Sequence, residues 1–440
     1  MKYYLSIDLG ASSARHIIGY IKNGELKLDE VYRFSDYLIN DNGSLVWDIE
    51  KIFLETEIGI KKAIEKYHNI ESMAIDSWGC DYVLLNGDKE ILPCYSYRDK
   101  RTKNVIDEVH SLISFDELYK ITGSQFQPFN TIYQLYSDKK EKRLDQATSF
   151  LMIPEYLVYK LTGKIVKEYT NASTTGLMDL SSFSFSKEII SKLGLKESLF
   201  LSLHKSGEVV SGFREDVAKV VGGNIKVRLC SSHDTASAVK GIDIGMDVPY
   251  LSSGTWSLLG IKTDSAIRSM EAKNSNYSNE LGDNYIRFQK NIMGMWIVNN
   301  LASELNYSIS DMIKIAKRSK FKELYDVNDP RFLAPINFLD AINSYLVENG
   351  KEKAKVDADF ISSTFHSLAY SYKCAYLELE KITKKRYDKL YIIGGGAKNI
   401  YLNDLTSEYL GRLVIALPIE ATAIGNLKSQ MEDYNEKRNS

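Results

Sequence analysis

Cysteine is scarce in this chain: among 440 residues only Cys80, Cys94, Cys230 and Cys374 carry thiols, and no two form a CxxC pair. That scarcity excludes a disulfide framework and a cysteine zinc site, and it fits reduced thiols in a cytoplasmic protein. An excess of either charge is lacking too. Lys plus Arg number 56 against 58 for Asp plus Glu, a formal net charge of −2, so no sequence-wide field draws nucleic acid or anionic lipid. Hydrophobic runs are short. None reaches the roughly 18 residues of a membrane helix, and Asp8 interrupts the N-terminal segment before a signal-type apolar core can form. The expected location is therefore cytoplasmic, the expected partners exclude nucleic acid and membrane, and a monomer or a homodimer is equally compatible. Two phosphate motifs are missing, G-x-x-x-x-G-K-[ST] and G-x-G-x-x-G, which weighs against P-loop and dinucleotide-binding sites. No low-complexity tract occurs, and the polar tail at 431–440 is expected to fray.

What is present is an ordinary globular composition, 44% apolar and 26% charged, in a chain too long for one compact core. A strand pattern, Tyr3 to Ile7, breaks at a turn of small residues, Asp8-Leu9-Gly10-Ala11-Ser12-Ser13, and resumes from His16 to Ile21. A further strand is expected from Leu26 to Phe34. A helix follows from about Asp48 to Tyr67, with Ile49, Ile52, Phe53, Ile60 and Ile64 at helical spacing, then a buried strand over Ser72 to Ile75. Near residue 248 the pattern restarts: Tyr250 to Ser253, a Gly254-Thr255 turn, and Trp256 to Ile261. This β-β-β-α-β order, with its strand–turn–strand start repeated, predicts an α/β actin-like (ribonuclease H-like) duplicated two-domain fold with a central cleft. The expected domains are 1–240 and 241–440, with Gly241 to Gly245 as the hinge.

Three elements carry chemistry. The Asp8-to-Arg15 turn is small and rich in donors, so its backbone N–H groups and hydroxyls can approach a polyphosphate; Asp8 at its mouth suits Mg²⁺ held through water. An ordinary hairpin turn is the competing account. In Cys230-Ser231-Ser232-His233-Asp234-Thr235, a strand gives way to a helix start, and Asp234 is placed to accept a hydroxyl proton during attack on a phosphoryl group. The alternative is that Asp234 and Thr235 only cap a helix. In Ile392-Ile393-Gly394-Gly395-Gly396 a strand runs into three glycines, which allows side-chain-free contact with a ligand ring or phosphate, although such turns are common. Singly each element is ambiguous; their order along the chain is that of the nucleotide elements in actin-like folds.

With these elements placed, the sequence resembles the FGGY carbohydrate kinases, and within them the rhamnulose-phosphorylating branch. The likeness runs from about residue 3 to about residue 430, through IDLGASSAR (7–15), NGSLVWD (42–48), IDSWGCDYVLL (75–85), YRDKRT (97–102), PFNTIYQL (128–135), EYTNASTTGL (168–177), SHDTASAV (232–239), YLSSGTWSL (250–258), KNIMGMW (290–296) and IIGGGAKN (392–399). The resemblance implies ATP-dependent phosphorylation of a ketose, L-rhamnulose giving L-rhamnulose 1-phosphate and ADP, with ATP and Mg²⁺ as cofactors. L-fuculose, L-xylulose or a related ketose is the alternative acceptor, and a non-catalytic actin-like sugar-binding protein the alternative class. Matched by motif, Asp234 is the general base; Gly79, His233 and Thr235 contact sugar. Ser12, Ser13, Ala14, Arg15 and His16 fall on the ATP phosphate turn. Thr255, Asn291 and Gly394, Gly395 and Gly396 fall on nucleotide positions, as does Asn299, where the family pattern carries Gln. Asp8 is the Mg²⁺-linked acid. The chain also ends sooner after Gly425-Asn426 than the family pattern suggests. From the residues themselves, Trp78 offers an apolar face to a sugar, with Asp81, Arg98 and Asp99 available to its hydroxyls. Transfer is expected to be sequential, without a phospho-enzyme, with ATP across the cleft and its base near Gly395.

Overall fold

The computed structural model describes residues 1–333, 335–417 and 419–431; the expected frayed tail, save Met431, lies outside the described residues. The chain forms two compact units that interleave along the sequence. The first comprises Met1–Asp243, Asp264–Arg287 and the segment beginning at Glu420; the second comprises Ile244–Thr263 and Phe288–Ile419.

In the first unit, β1 (Tyr3–Leu9), β2 (Ser13–Lys22) and β3 (Glu25–Ser35) form an antiparallel meander. Helix α1 (Ile49–Lys66) returns the chain, capped by the Asp48 carboxylate on the Lys51 N–H, so that β4 (Ile70–Ser77) pairs parallel to β1. The predicted strand–strand–strand–helix–strand order is thus observed. Strands β5 (Val209–Ser211) and β6 (Lys226–Arg228) complete the sheet in the order β5-β6-β4-β1-β2-β3, with β6 parallel to β4. Ile49, Ile52, Ile60 and Ala63 of α1 are buried together with Leu5, Ile7 and Met73 of the sheet.

The next helix, α2 (Asp234–Gly241), begins where the chain leaves β6. Late in the sequence, α6 (Ala421–Gln430) lies against both α2 and the sheet. Asn426 donates to the Ala74 carbonyl and, at 2.6 Å, to Asp76 Oδ2, while Gln430 donates to the Leu5 carbonyl and accepts from Ser72 Oγ. The two helices cross backbone to backbone. A Cβ built on Gly425 would sit 1.8 Å from the Ser237 carbonyl oxygen, and one on Gly241 would sit 2.0 Å from that of Ala421.

The second unit repeats the plan. Its strands lie in the order β9 (Ile286–Met293, in this unit from Phe288 on), β8 (Trp256–Thr263), β7 (Tyr250–Ser253), β10 (Lys389–Ile393), β11 (Leu413–Ala416). Here β7 is antiparallel to β8 and parallel to β10, as β1 is to β2 and β4. Helices α3 (Met295–Leu305), α4 (Asp357–Thr383) and α5 (Ile400–Leu410) flank it, and Tyr372 of α4 shares a 2.8 Å hydrogen bond with Ser257 of β8. The same hairpin-plus-parallel-strand arrangement in both halves is the duplication expected from the sequence. Among the described residues no helix is long and apolar enough to cross a membrane.

Candidate active site

Parallel register gathers the acids of the first unit. Asp8 and Asp76 are register partners at the carboxyl ends of β1 and β4, and Ser77 bridges to His233, the residue before Asp234. Carboxyl ends of parallel strands are where open α/β sheets expose their loops, so three carboxylates converge there. Their charges act on one another. Burial pushes the Asp8 carboxyl above its ordinary range; the Arg15 guanidinium pulls it back, and the charges of Asp234 and Glu420 push the same way as burial. Asp76 is raised well above that range, by burial first and then by Asp8. One of its oxygens, Oδ1, is buried with no hydrogen-bond partner among the described residues. Asp76 was not foreseen as a site residue; its signal is the shared strand–Asp ending of Ile7-Asp8 and Ile75-Asp76.

The β1–β2 turn is tight, with the Gly10 N–H on the Ser13 carbonyl at 3.1 Å and the Tyr37 hydroxyl on the Gly10 carbonyl. Ser12 is exposed, Ser13 half-buried and Ala14 buried. Arg15, expected on phosphate, bridges the carboxylates of Asp8 and Glu420. His16 lies apart. Strand alternation turns its ring into the core, fully buried against Tyr32 and Phe34, and the close approach of Gly59 in α1 leaves room for it. Its Nε2–H donates to the Thr56 carbonyl, and burial lowers its pKa to about 4. That side chain belongs to the core and has no path to a phosphate.

Asp234 opens α2. Its Oδ1 accepts the Thr235 N–H at 2.6 Å and the Thr235 hydroxyl at 3.2 Å, so one oxygen does serve the helix start. Its Oδ2 has no protein donor among the described residues, and the side chain is 32% exposed. The preceding turn is held by a residue the sequence reading missed. Glu168, fully buried, accepts through Oε2 from the N–H and hydroxyl of Ser232, from the Thr170 hydroxyl and from the Asn171 N–H; Thr170 Oγ1 in turn accepts from the His233 N–H. Only its place in the EYTNASTTGL segment hinted at this.

Beside the turn, Trp78 stacks parallel to Tyr37 at 6.3 Å and packs on Trp47 at 4.3 Å, with 5% of its surface exposed. Its anticipated sugar-facing surface is thus largely spent on an aromatic cluster. Gly79 next to it keeps a half-buried backbone, where a Cβ would press on Thr174 Oγ1 at 2.8 Å. Asp81, proposed for sugar hydroxyls, is fully buried and engaged. Its Oδ2 accepts from Trp47 Nε1, Trp78 Nε1 and the Tyr97 N–H, its Oδ1 from Gln134 Nε2, and burial raises its pKa to about 6. Asp99 accepts the Leu45 and Arg101 N–H groups, and Arg98 lies over Tyr97. Asp81 thus ties Trp78 to Trp47 and to the Tyr97 backbone.

In the second unit, the Gly394–Gly396 turn lies flat on β7. Gly394 has φ +81°, and its Cβ would meet the Ser253 carbonyl oxygen at 2.7 Å; a Cβ on Gly396 would meet Ser253 Oγ at 1.9 Å. Gly395 is exposed with nothing within 4 Å of a built Cβ, so the turn presents bare backbone. Thr255, in the β7–β8 turn, and Asn291, on β9, are half-buried, while Asn299 is exposed on α3.

A duplicated α/β fold with acids at strand ends, a small-residue hairpin and a bare glycine turn defines a phosphotransferase of the actin-like class. Residues 3–241 match the N-terminal domain, and residues 250–431 the C-terminal domain, of the FGGY family of carbohydrate kinases. The chain belongs to that family and is a sugar kinase. Among curated relatives, it is 41% identical over 433 residues to a rhamnulokinase of Oceanobacillus iheyensis, covering 97% of this chain and 92% of that protein. It is 38% identical over 438 residues to a rhamnulokinase of Bacillus subtilis, covering 97% and 90%. Among solved structures, a ligand-bound xylulose kinase from Lactobacillus acidophilus superposes with a TM-score of 0.80 at 17% identity, covering 99% of this chain and 91% of the other. A Plasmodium falciparum glycerol kinase with ADP gives 0.75 at 16% identity, covering 98% and 89%. At such identities these structures speak for the fold.

Proposed function

We propose that this kinase transfers the γ-phosphoryl group of ATP to L-rhamnulose, giving L-rhamnulose 1-phosphate and ADP, with Asp234 as general base. The observation that carries the chemistry is the division of labour in the Asp234 carboxylate. Oδ1 is held by Thr235, while Oδ2 is left for an incoming proton. The sugar hydroxyl gives its proton to Oδ2 as its oxygen bonds to phosphorus, and the bond from phosphorus to the departing ADP oxygen breaks. Full-length relatives bearing the rhamnulokinase name support the choice of ketose.

The side chains assigned to the sugar are His233 and Thr235, with the Gly79 backbone above Trp78. Those assigned to ATP are Ser12, Ser13, Ala14 and Arg15 in the first unit, and Thr255, Asn291, Asn299 and the bare Gly394–Gly396 backbone in the second. Mg²⁺ fits the acids of the first unit. Carboxylates are its preferred donors; burial raises Asp8 and Asp76, with the charges of Asp234 and Glu420 adding at Asp8 and that of Asp8 adding at Asp76, and Asp76 Oδ1 has no partner among the described residues. Mg²⁺ keeps much of its hydration, so an ion held at Asp8 through water needs only one or two carboxylates. When bound, the ion would offset phosphate charge; Arg15, braced between Asp8 and Glu420, orients the acid.

Coupled ADP release over a panel of L-rhamnulose, L-fuculose and L-xylulose tests the reading. We expect strong turnover of the first and weak turnover of the others; equal response, or none, overturns the assignment. Asp234→Asn should lower kcat by about 10²-fold or more with ATP affinity retained. Near-normal turnover in that variant removes Asp234 from its role.

A further inference from the structure

His233 is held from both sides of its ring. Nδ1 lies 3.1 Å from Nη2 of Arg287 and 3.3 Å from Oε2 of Glu280, and Nε2 lies 3.4 Å from Oδ1 of Asp234. Arg287 is fully buried. Its Nη2 also reaches Glu280 Oε2 at 3.1 Å, and its Nε donates to the Leu281 carbonyl at 3.2 Å, so the guanidinium plane is fixed by groups on its own segment. A guanidinium has five N–H donors and no lone pair to offer, and it does not lose its charge in proteins. Glu280 Oε2, the only acceptor near Nδ1 among the described residues, already receives the Arg287 guanidinium, so the arrangement favours Nδ1 as the acceptor of an Arg287 N–H and places the ring hydrogen on Nε2.

We infer that Arg287, with Glu280 as its counter-ion, is a positioning residue that fixes His233 as the Nε2–H tautomer. This rests on the proposed sugar site and deepens it. With the hydrogen on Nε2, His233 presents a donor on the side where the Asp234 carboxylate stands, so the sugar oxygen it meets is read as an acceptor. The opposite tautomer would present a lone pair there, beside the carboxylate that must receive a proton. Glu280 gives the arrangement its sensitivity. Its carboxylate would capture an N–H on Nδ1 if Arg287 no longer claimed that nitrogen, and the ring would then offer no donor to the sugar.

The ring nitrogens report this directly. The chain has six histidines, few enough for long-range ¹H–¹⁵N spectra of the histidine-labelled full-length protein, with His233 identified by its loss in His233→Asn. We expect a protonated Nε2 and a bare Nδ1 in the wild type without ligands. Arg287→Met should move the hydrogen to Nδ1 and lower kcat/KM for the ketose by about 10- to 100-fold, the range for a lost substrate hydrogen bond, with KM for ATP unchanged. Because Arg287→Met strands a buried carboxylate, the double variant Arg287→Met/Glu280→Leu provides the second arm. It removes both charges and should give a mixture of tautomers with a similar loss in kcat/KM. A hydrogen on Nδ1 in the wild type, or an unchanged tautomer in both variants, overturns the inference. The spectra are read in the resting protein, so this outcome is independent of whether Asp234→Asn abolishes turnover.

Discussion

At the scale of single residues, His16 and Asp81 show how the scaffold registers pH. An unfolded histidine ionises near 6.5, whereas buried His16 stays neutral to about 4. Between those values the unfolded chain holds the extra proton, so the His16 contribution weakens folding as pH falls from 6.5 to 4 and is absent above 6.5. The full window corresponds to about 3 kcal/mol. Asp81, raised from 3.8 to about 6, acts in the opposite sense, favouring folding at the acid end and losing that contribution as pH climbs through 6. The informative quantity is thus the stability difference between wild type and His16→Gln, measured by denaturant titration at several pH values. It should grow from pH 4 to 6.5 and then level off; parallel curves would show that His16 is not buried and neutral. Asp81→Asn faces an amide N–H toward Gln134 Nε2, which already donates to the Cys80 and Phe129 carbonyls and so cannot turn to accept. A loss of about 1–3 kcal/mol in unfolding free energy is expected. How far these residues were legible varies. Asp234 could be singled out because a polar acid after an apolar strand is conspicuous. The placing of His16 on phosphate ignored the alternation of β2, which puts Ala14, His16 and Ile18 on one face. Glu168, Glu280 and Arg287 were passed over, since an isolated charge in a polar segment reads as surface until a fold buries it.

Helices α2 and α6 carry the consequences at the scale of elements. Asp234 stands at the first position of α2, and the far end of that helix is pinned by the Gly241 and Gly425 approaches to α6. Gly425→Ala places a methyl group against the Ser237 carbonyl, a backbone atom that cannot rotate away, so the helices must part. Overpacking of this kind costs about 1–3 kcal/mol, and we expect a lower Tm together with a lower kcat, because the displaced helix bears the proposed base. An unchanged Tm would mean that the crossing is looser than described. The Gly394–Gly396 turn permits a sharper separation. Gly394→Ala forces a left-handed φ onto a residue with a Cβ and meets the Ser253 carbonyl, so it should destabilise the second unit. Gly395→Ala meets nothing and should leave the Tm unchanged while raising KM for ATP, if bare backbone at that point faces the nucleotide. The turns and α1 were readable from spacing because local chemistry sets them. The α2–α6 crossing was not, since the two small residues lie 184 positions apart and each alone is an unremarkable glycine.

At the scale of the whole molecule, duplication was legible and interleaving was not. Both halves announce themselves by a strand, a small-residue turn and a returning strand, whereas hydrophobic periodicity in 421–430 says only that a helix forms and nothing of which core it joins. The answer, that α6 completes the first unit, lies in Asn426 reaching Asp76 and Gln430 reaching Leu5. A chain ending at residue 419 should therefore lose the cooperative unfolding transition of the first unit, followed by circular dichroism, and with it all ketose turnover; retention of both would show that α6 is dispensable. The order of synthesis follows from the same connection. A chain growing from its amino terminus makes the segment bearing Asp8, Asp76 and Asp234 early, yet the helix that closes it emerges only after every residue of the second unit has been added. A nascent chain of this design holds the proposed proton acceptor on an unfinished domain until α6 has been added. Phosphate transfer by a growing chain should therefore be withheld until α6 is free to dock.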